Sequence, residues 1–354
     1  MVFIMILVVM GIAGYLITPD KTPYANSMHL QLSNKKPFRT FQFLVISRKE
    51  VKPAGFFEKM LYGQEASFKS IPITSYRFAG DKIFIREYIG DDEQADETVY
   101  PLKALCRSCQ PGAAGEKTFV AENIYHQTYY LGTDMYGRDL LSRLIIAIRV
   151  SLSVGLMAVL ISLFIGISLG AIAGYFGGRT DAVISWFMNV IWSLPSLLLV
   201  IAISFALGKG FWQIFIAVGL STWIDVARLV RGQVMALKEV EFVEAAKALG
   251  FSTPRTIVGH ILPNIAGPIL VVASANFASA ILLETGLSFL GFGAQPPMPS
   301  WGSMIKEHYA YIIMDAAYLA VLPGMAIMLT VYAFNVLAIG LRDAFDVKGQ
   351  NAGI

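Results

Sequence analysis

The sequence predicts an all-α polytopic membrane protein, with about six transmembrane helices and a small β-rich extracytoplasmic domain between the first two. Three observations lead there. Of 354 residues, 55% are hydrophobic and 15% charged, with a mean hydropathy of +0.59, whereas ordinary soluble domains carry about 25% charge. The charges are uneven: residues 18–130 hold 28 of the 53, and the other 241 residues share 25. Outside that segment the chain falls into long runs without Asp, Glu, Lys or Arg. A net charge of +3 is too small to argue for nucleic acid. Two cysteines exclude a disulfide-dense scaffold.

Crossing ~30 Å of hydrocarbon takes about 20 mostly apolar residues. Met1–Pro19 is the first such run. It lacks the basic start and small-residue cleavage site of a signal peptide, so residues 1–17 read as a retained first helix. Val150–Gly178 is the longest run. Ala182–Gly208 follows, with Pro195 supplying a kink or a merely structural bend. Gly210–Ile224 becomes long enough by borrowing a turn at either end. Thr256–Leu283 is interrupted by His260 and Pro263, so its span starts near Ala266. Ala316–Leu341 is the sixth. Thr285–Ile305 is also apolar, but its GFGAQPPMPSWG run predicts a loop or re-entrant segment.

Orientation follows from Lys and Arg in the short loops. With the N-terminus in the cytoplasm, the inner loops and tail hold Arg179, Arg228, Arg231, Lys238, Lys247, Arg255, Arg342 and Lys348. The outer loops hold Lys209 and Lys306. Both termini are therefore expected inside, and residues 18–130 outside. In that insert, Phe38–Ile46 and Tyr76–Gly90 read as strands, with a hairpin turn at Ala79-Gly80-Asp81. The acidic run Asp91–Glu97 reads as a solvated loop. Cys106 and Cys109 form the one C-x-x-C pair. Pro111 and Gly112 follow at once and argue against the helix that lowers a redox thiol's pKa. A structural disulfide or two free thiols are the simple readings, and a membrane-anchored redox protein the remote one. No second pair completes a zinc site.

No energy-coupling machinery is visible. The phosphate loop G-x-x-x-x-G-K-[ST] is absent, Gly177-Gly178-Arg179-Thr180 being the nearest approach. The four histidines show no ligand spacing, and G-x-S-x-G is absent. Glu284 is the one acid placed inside a predicted span, near an outer end where pairing with a loop competes with a proton-relay role. An ion-driven carrier is disfavoured by spans this poor in acids.

The longest cytoplasmic segment, 225–266, carries the strongest pattern. Glu241–Leu249 is good helix former throughout, with Phe242, Ala245, Ala246 and Leu249 on one face. Gly250 suits a helix C-cap. Thr253-Pro254 suits the start of a second short helix. Small residues at the centre let another surface approach closely; the plain alternative is a hairpin that merely joins two spans.

These residues resemble the signature of ABC-importer permeases: E-A-A, three residues, G, nine residues, I-x-L-P. Glu244, Ala245, Ala246, Gly250, Leu262 and Pro263 match, and His260 takes the usual isoleucine place. Further stretches resemble the dipeptide/oligopeptide (DppC/OppC-like) branch. Gly132, Asp134, Gly137, Arg138, Asp139, Arg143 and Arg149 fit its lead-in to the second span, with Ala147 where many relatives have glycine. Leu287–Gly291, Pro299–Gly302 and Leu341–Ala344 fit its later loops and tail. The resemblance covers residues 131–347, leaving 18–130 as an insert longer than the usual connection.

It implies a type I importer permease of the bacterial inner membrane, in a lipid bilayer and not itself an enzyme. A second, DppB-like permease, two cytoplasmic ABC ATPases and an extracytoplasmic solute-binding protein would be its partners. The ATPases would bind ATP and Mg, leaving this chain without a cofactor. Glu241 and the matched residues of the loop would couple ATPase closure to alternating access. The cargo implied is a di- or oligopeptide, with nickel or another small solute as the alternative.

Overall fold

The computed structural model describes residues 1–48, 50–91, 95–106, 112–208 and 210–350, with side chains as far as Phe345. Two compact units emerge. One combines Val9–Ala147 with His308–Leu319, and the other combines Met1–Val8, Ile148–Glu307 and the chain from Ala320 onward.

The apolar helix α1 (Val2–Ile17), which enters the first unit at Val9, leads into a five-stranded antiparallel sheet of order β4-β3-β2-β1-β5. Its strands are β1 (Arg39–Arg48), β2 (Phe68–Ala79), β3 (Lys82–Glu87), β4 (Glu97–Pro101) and β5 (Ile124–Tyr129). The expected hairpin is there: Ala79 pairs with Lys82, and Gly80 takes the positive φ of +64° that the tight turn needs. Alternation sets the sheet's faces. Ile83 and Ile85 are fully buried between outward neighbours, and join Leu44, Ile73 and Phe119 in one core. Three short helices, α2 (Phe56–Tyr62), α3 (Leu102–Leu105) and α4 (Ala113–Asn123), complete the insert. Cys106 lies in the same core. Cys109 lies outside the described residues, and the predicted pairing with it.

In the second unit the helices outrun the apolar runs that predict them. α5 spans Leu140–Phe176, α6 Gly178–Trp192, α7 Ser196–Leu207 and α8 Phe211–Leu237. Polar residues such as Asp225, Arg228 and Arg231 continue α8 past the predicted end of the fourth span, because helix propensity does not stop where hydrocarbon stops. α9 (Glu241–Ala248) and α10 (Thr253–Thr256) follow, then a π-turn at Ile257–Ile261 and α11 (Leu262–Asn264). α12 (Ala266–Leu290) starts at the expected residue; α13 (Trp301–His308) and α14 (Tyr318–Gln350) are the last helices among the described residues.

The predicted third span is not one kinked helix. α6 and α7 meet at 95°. Ser193 turns its hydroxyl onto the Val190 carbonyl, 2.7 Å away, and Pro195 has no N–H with which to continue the ladder. Among the described residues, four helices are long and apolar enough to cross a membrane, or five if the bent pair is one span. α1, with 16 residues, is about 24 Å long at 1.5 Å per residue.

Close helix contact holds this unit together. Gly166, Gly170 and Gly174 form a ridge on α5 where an added Cβ would sit 2.5–2.8 Å from α8 atoms. That is the small-residue approach by which helices pack in lipid. Asn276 of α12 donates to Ser162 of α5 (3.3 Å) and to the Thr222 carbonyl of α8 (3.1 Å), so three helices share one buried polar knot.

Candidate functional site

Two loops carry the sequence motifs, one in each unit. In the helical unit, α9 follows α8 after only Lys238, Glu239 and Val240. Glu241 and Glu244 lie in its first turn, where carboxylates complement the helix's positive end. Its inward face is Val243 and Ala246, and Val243 packs with Val230, Val234, Ile261 and Ile265 in one cluster. The predicted apolar face divides: Ala246 turns inward, while Phe242 (38% exposed), Ala245 and Leu249 (75% exposed) turn outward with the two glutamates. Val243, one position from the predicted stripe, takes the core place because the α8 valines lie on that side.

The turn after α9 is a Schellman motif. Phe251 N–H donates to the Ala246 carbonyl (3.1 Å) and Gly250 N–H to the Lys247 carbonyl (2.9 Å). Gly250 has φ +78°. Phe251 is covered by the Arg255 guanidinium, 4.3 Å from its ring, and stacks on His260 at 5.4 Å. His260, in the place where the family pattern has isoleucine, thus covers Phe251 with the flat face of its ring. The second predicted helix is a single turn, α10, that passes into the π-turn. Leu262 is half-buried against the cluster, and Pro263 is exposed.

In the sheet unit, residues Gly132–Arg143 form a clamp. Asp134, fully buried, accepts from the backbone N–H of Tyr136 (2.9 Å) and Arg138 (3.0 Å) and from Arg138 Nε (2.6 Å). Arg143 Nε lies 3.6 Å from the same carboxylate. Asp139 accepts from the Ser142 backbone and hydroxyl, and burial holds its pKa above the ordinary carboxylate value against those bonds. The clamp grips the start of the insert: Thr133 N–H donates to the Lys35 carbonyl (3.1 Å), and Lys35 N–H to Thr133 Oγ1 (2.8 Å). Gly132 and Gly137 are needed for closeness, since an added Cβ would lie 2.3 Å from the Lys35 oxygen and 1.8 Å from the His29 oxygen respectively. Arg149 stands half-buried on α5.

The structure does not gather the predicted residues into one constellation. The loop set, Glu241 to Pro263, is one surface feature of the helical unit. The lead-in set, Gly132 to Arg143, is an internal clamp of the sheet unit. Glu284 is fully buried and accepts from Ser288 Oγ (2.6 Å), whose hydroxyl lies 3.2 Å from Ser300 Oγ. Its hydrogen bond is thus to its own helix, with Ser288 linking it onward to Ser300 of the loop. Three features escaped the sequence reading: the Asn276 knot, a two-pronged Asp181–Arg231 ion pair joining α6 to α8, and Asp225 beside the α6–α7 break. A donor–acceptor count within the apolar runs, rather than a charge count, would have raised Asn276.

Comparison with known proteins gives a consistent result. Residues 166–348 match the family model described as binding-protein-dependent transport system inner membrane component. The chain is 42% identical over 222 residues to an oligopeptide transport system permease protein, OppC, of Haemophilus influenzae, covering 63% of this chain and 71% of that one. It is 44% identical over 220 residues to a dipeptide transport system permease protein, DppC, of Alkalihalophilus pseudofirmus, covering 62% and 72%. A glutathione transport system permease protein, GsiD, of Pectobacterium atrosepticum is 40% identical over 220 residues, covering 62% and 73%. Among solved structures, the inward-facing MetNI methionine ABC transporter aligns at a TM-score of 0.47 and 16% identity, over 57% of this chain and 95% of that one.

Proposed function

Because the chain belongs to the binding-protein-dependent transport system inner membrane component family, we propose that it is the DppC/OppC-like permease of an ATP-driven importer of di- and oligopeptides. Membership makes it a multi-pass membrane subunit with the type I importer permease fold. It works beside a partner permease, ATPases that hydrolyse the ATP, and a binding protein. The names of its relatives support a peptide cargo. A DppB-like second permease and cytoplasmic termini belong to the same proposal. Counting α1 and the bent α6–α7 pair as one crossing each gives six spans, with the sheet outside the cytoplasm. ATP and Mg belong, in this reading, to the partner ATPases.

One observation carries the coupling role: α9 is held by its inner face while its outer face stays open. Val243 and Ala246 fasten the helix to the bundle, and Phe242, Ala245 and Leu249 are left exposed beside Glu241 and Glu244. Isolated apolar side chains at a surface are ordinary, but a contiguous apolar face rimmed by charge suits a protein partner. On ATP closure the ATPases push on this face, and α8 and α12 move with it. Alternating access follows.

Glu244→Lys tests the contact without disturbing the backbone. In the assembled importer, peptide uptake should fall at least tenfold and the ATPases should co-purify poorly, at unchanged membrane abundance. Wild-type uptake at equal abundance would reduce the loop to a connector and remove the reading's main support.

A further inference from the structure

The break between α6 and α7 opens a pocket of about 270 Å³, walled by Trp192, Leu194, Ser196, Ser221, Ile224 and Asp225 among others. We propose that this pocket is the permease's subsite for a primary ammonium group, the free N-terminus of a cargo peptide. The proposal rests on the peptide-importer reading and adds to it a place and a chemistry of recognition.

Asp225 is the starting point. It lies on α8 about 21 Å along the axis from Phe211, at 1.5 Å per residue, and its side chain is exposed in the single chain. Trp192 (60% exposed) and Leu194 (50% exposed) put apolar surface beside it, with Ser196 exposed at the start of α7. A carboxylate in such a belt does not face lipid; it faces a water-filled path or another charged group.

The walls favour a cation. Ile191–Leu194 form the carbonyl end of α6, the negative pole of that helix. Discontinuous helices place such ends at transported ions and substrates in many carriers. Ser221 Oγ donates to the Val218 carbonyl at 2.7 Å, so its lone pairs are turned to accept. An ammonium has three donors and no acceptor; the carboxylate, the serine oxygens and the end of α6 offer it acceptors, and the full charge of Asp225 outweighs the partial positive charge that the first turn of α7 presents at Ser196.

The nearest cation does not fill the place. Arg228, one turn along α8, donates through Nη2 to Asn189 Oδ1 at 2.8 Å, and its guanidinium lies 4.1 Å from the Trp192 ring centre. Size then decides what enters. Small-molecule sites run from about 300 to 1,000 Å³, so a pocket of about 270 Å³ takes one end of a peptide, not the whole.

The test uses the complete importer in proteoliposomes, with one binding protein throughout so that its own selectivity cancels. Initial uptake of a lysine-free tripeptide is measured with its amine free and N-acetylated. Asp225→Asn should slow the free-amine peptide at least tenfold and the acetylated one less than twofold, while Asp225→Glu keeps most of the wild-type preference. Equal loss for both peptides would make Asp225 a contact to the partner permease and overturn the proposal; an unchanged ratio would overturn it as well. Where wild type moves the acetylated peptide too slowly to measure, photocrosslinking decides. A diazirine on the first residue should label residues 191–199 or 221–225, and labelling confined elsewhere overturns the subsite. A wild-type importer that hydrolyses ATP and moves another solute but neither peptide would overturn the peptide reading itself.

Discussion

Gly137 and Gly250 both sit at positive φ, +71° and +78°, but their surroundings have nothing in common. An added Cβ at Gly137 would meet the His29 oxygen at 1.8 Å; at Gly250 it would meet nothing within 4 Å. The first glycine is required by what is packed against it, the second only by its own torsion angle. That difference separates a clamp, which joins two distant stretches of chain inside the sheet unit, from a turn that leaves its surroundings clear. The docking role proposed for α9 needs a turn of the second kind.

The strongest way to sharpen the contrast is to break the clamp's charge. Asp134→Asn keeps an acceptor for the backbone bonds but leaves Arg138 buried beside a neutral group, which should cost about 3–5 kcal/mol. Thermal unfolding of the purified protein would read it, and a loss under about 1 kcal/mol would mean that water reaches Arg138. Gly137→Ala comes next, at about 2–4 kcal/mol, from a left-handed φ combined with overpacking. The same change at Gly250 has no packing component. Gly250→Ala should cost about 1–2 kcal/mol, leave insertion and abundance intact, and still lower peptide uptake by misdirecting α9. If Gly250→Ala destabilises as much as Gly137→Ala, the distinction between clamp and turn fails.

The smallest effect lies at the clamp's edge. Asp91 accepts from Tyr88 OH (2.5 Å) and from Lys35 Nζ (3.0 Å), and these bonds hold its pKa below the ordinary carboxylate value. A depressed folded pKa adds stability that is complete above the unfolded value of about 4 and disappears as pH falls through the folded one. The pair is half exposed, so it contributes no more than about 0.5 kcal/mol. Asp91→Asn should remove that acid-side slope, lowering stability at pH 7 by no more than about 0.5 kcal/mol and leaving it unchanged below the folded pKa.

The sequence showed the loop better than the bundle, for physical reasons. α9, its glycine stop and the restart at Ala266 follow from helix propensity, a φ requirement and a proline, all of which are local. The direction of α9's apolar residues is not local: Val243 faces in because valines 230 and 234 of α8 lie there. Pro195 signalled a break but not its angle, which depends on how α7 packs. Asp225 was hidden by the counting rule itself, since a span defined by missing charge must end at the first acid. The hairpin at Gly80 was legible from alternation, whereas the pairing of β1 with β5, some 85 residues apart, was not. Only the fold, which sets Arg39 opposite Tyr129, makes that pairing visible.

The unbroken helix from Phe211 to Leu237 has a mechanical meaning. Its 27 residues make a rod about 40 Å long, stiff because every turn is hydrogen-bonded. Val240 N–H donates to the Leu237 carbonyl at 3.1 Å, so the rod runs into α9 with almost no slack. If such a rod pivots by about 10° at its Phe211 end, Leu237 travels about 7 Å and Asp225 about 4 Å. The first distance is the stroke an ATPase domain would have to deliver. The second exceeds the reach of a hydrogen bond, so under the two proposals above one rigid stroke at α9 would let go of an ammonium group held at Asp225.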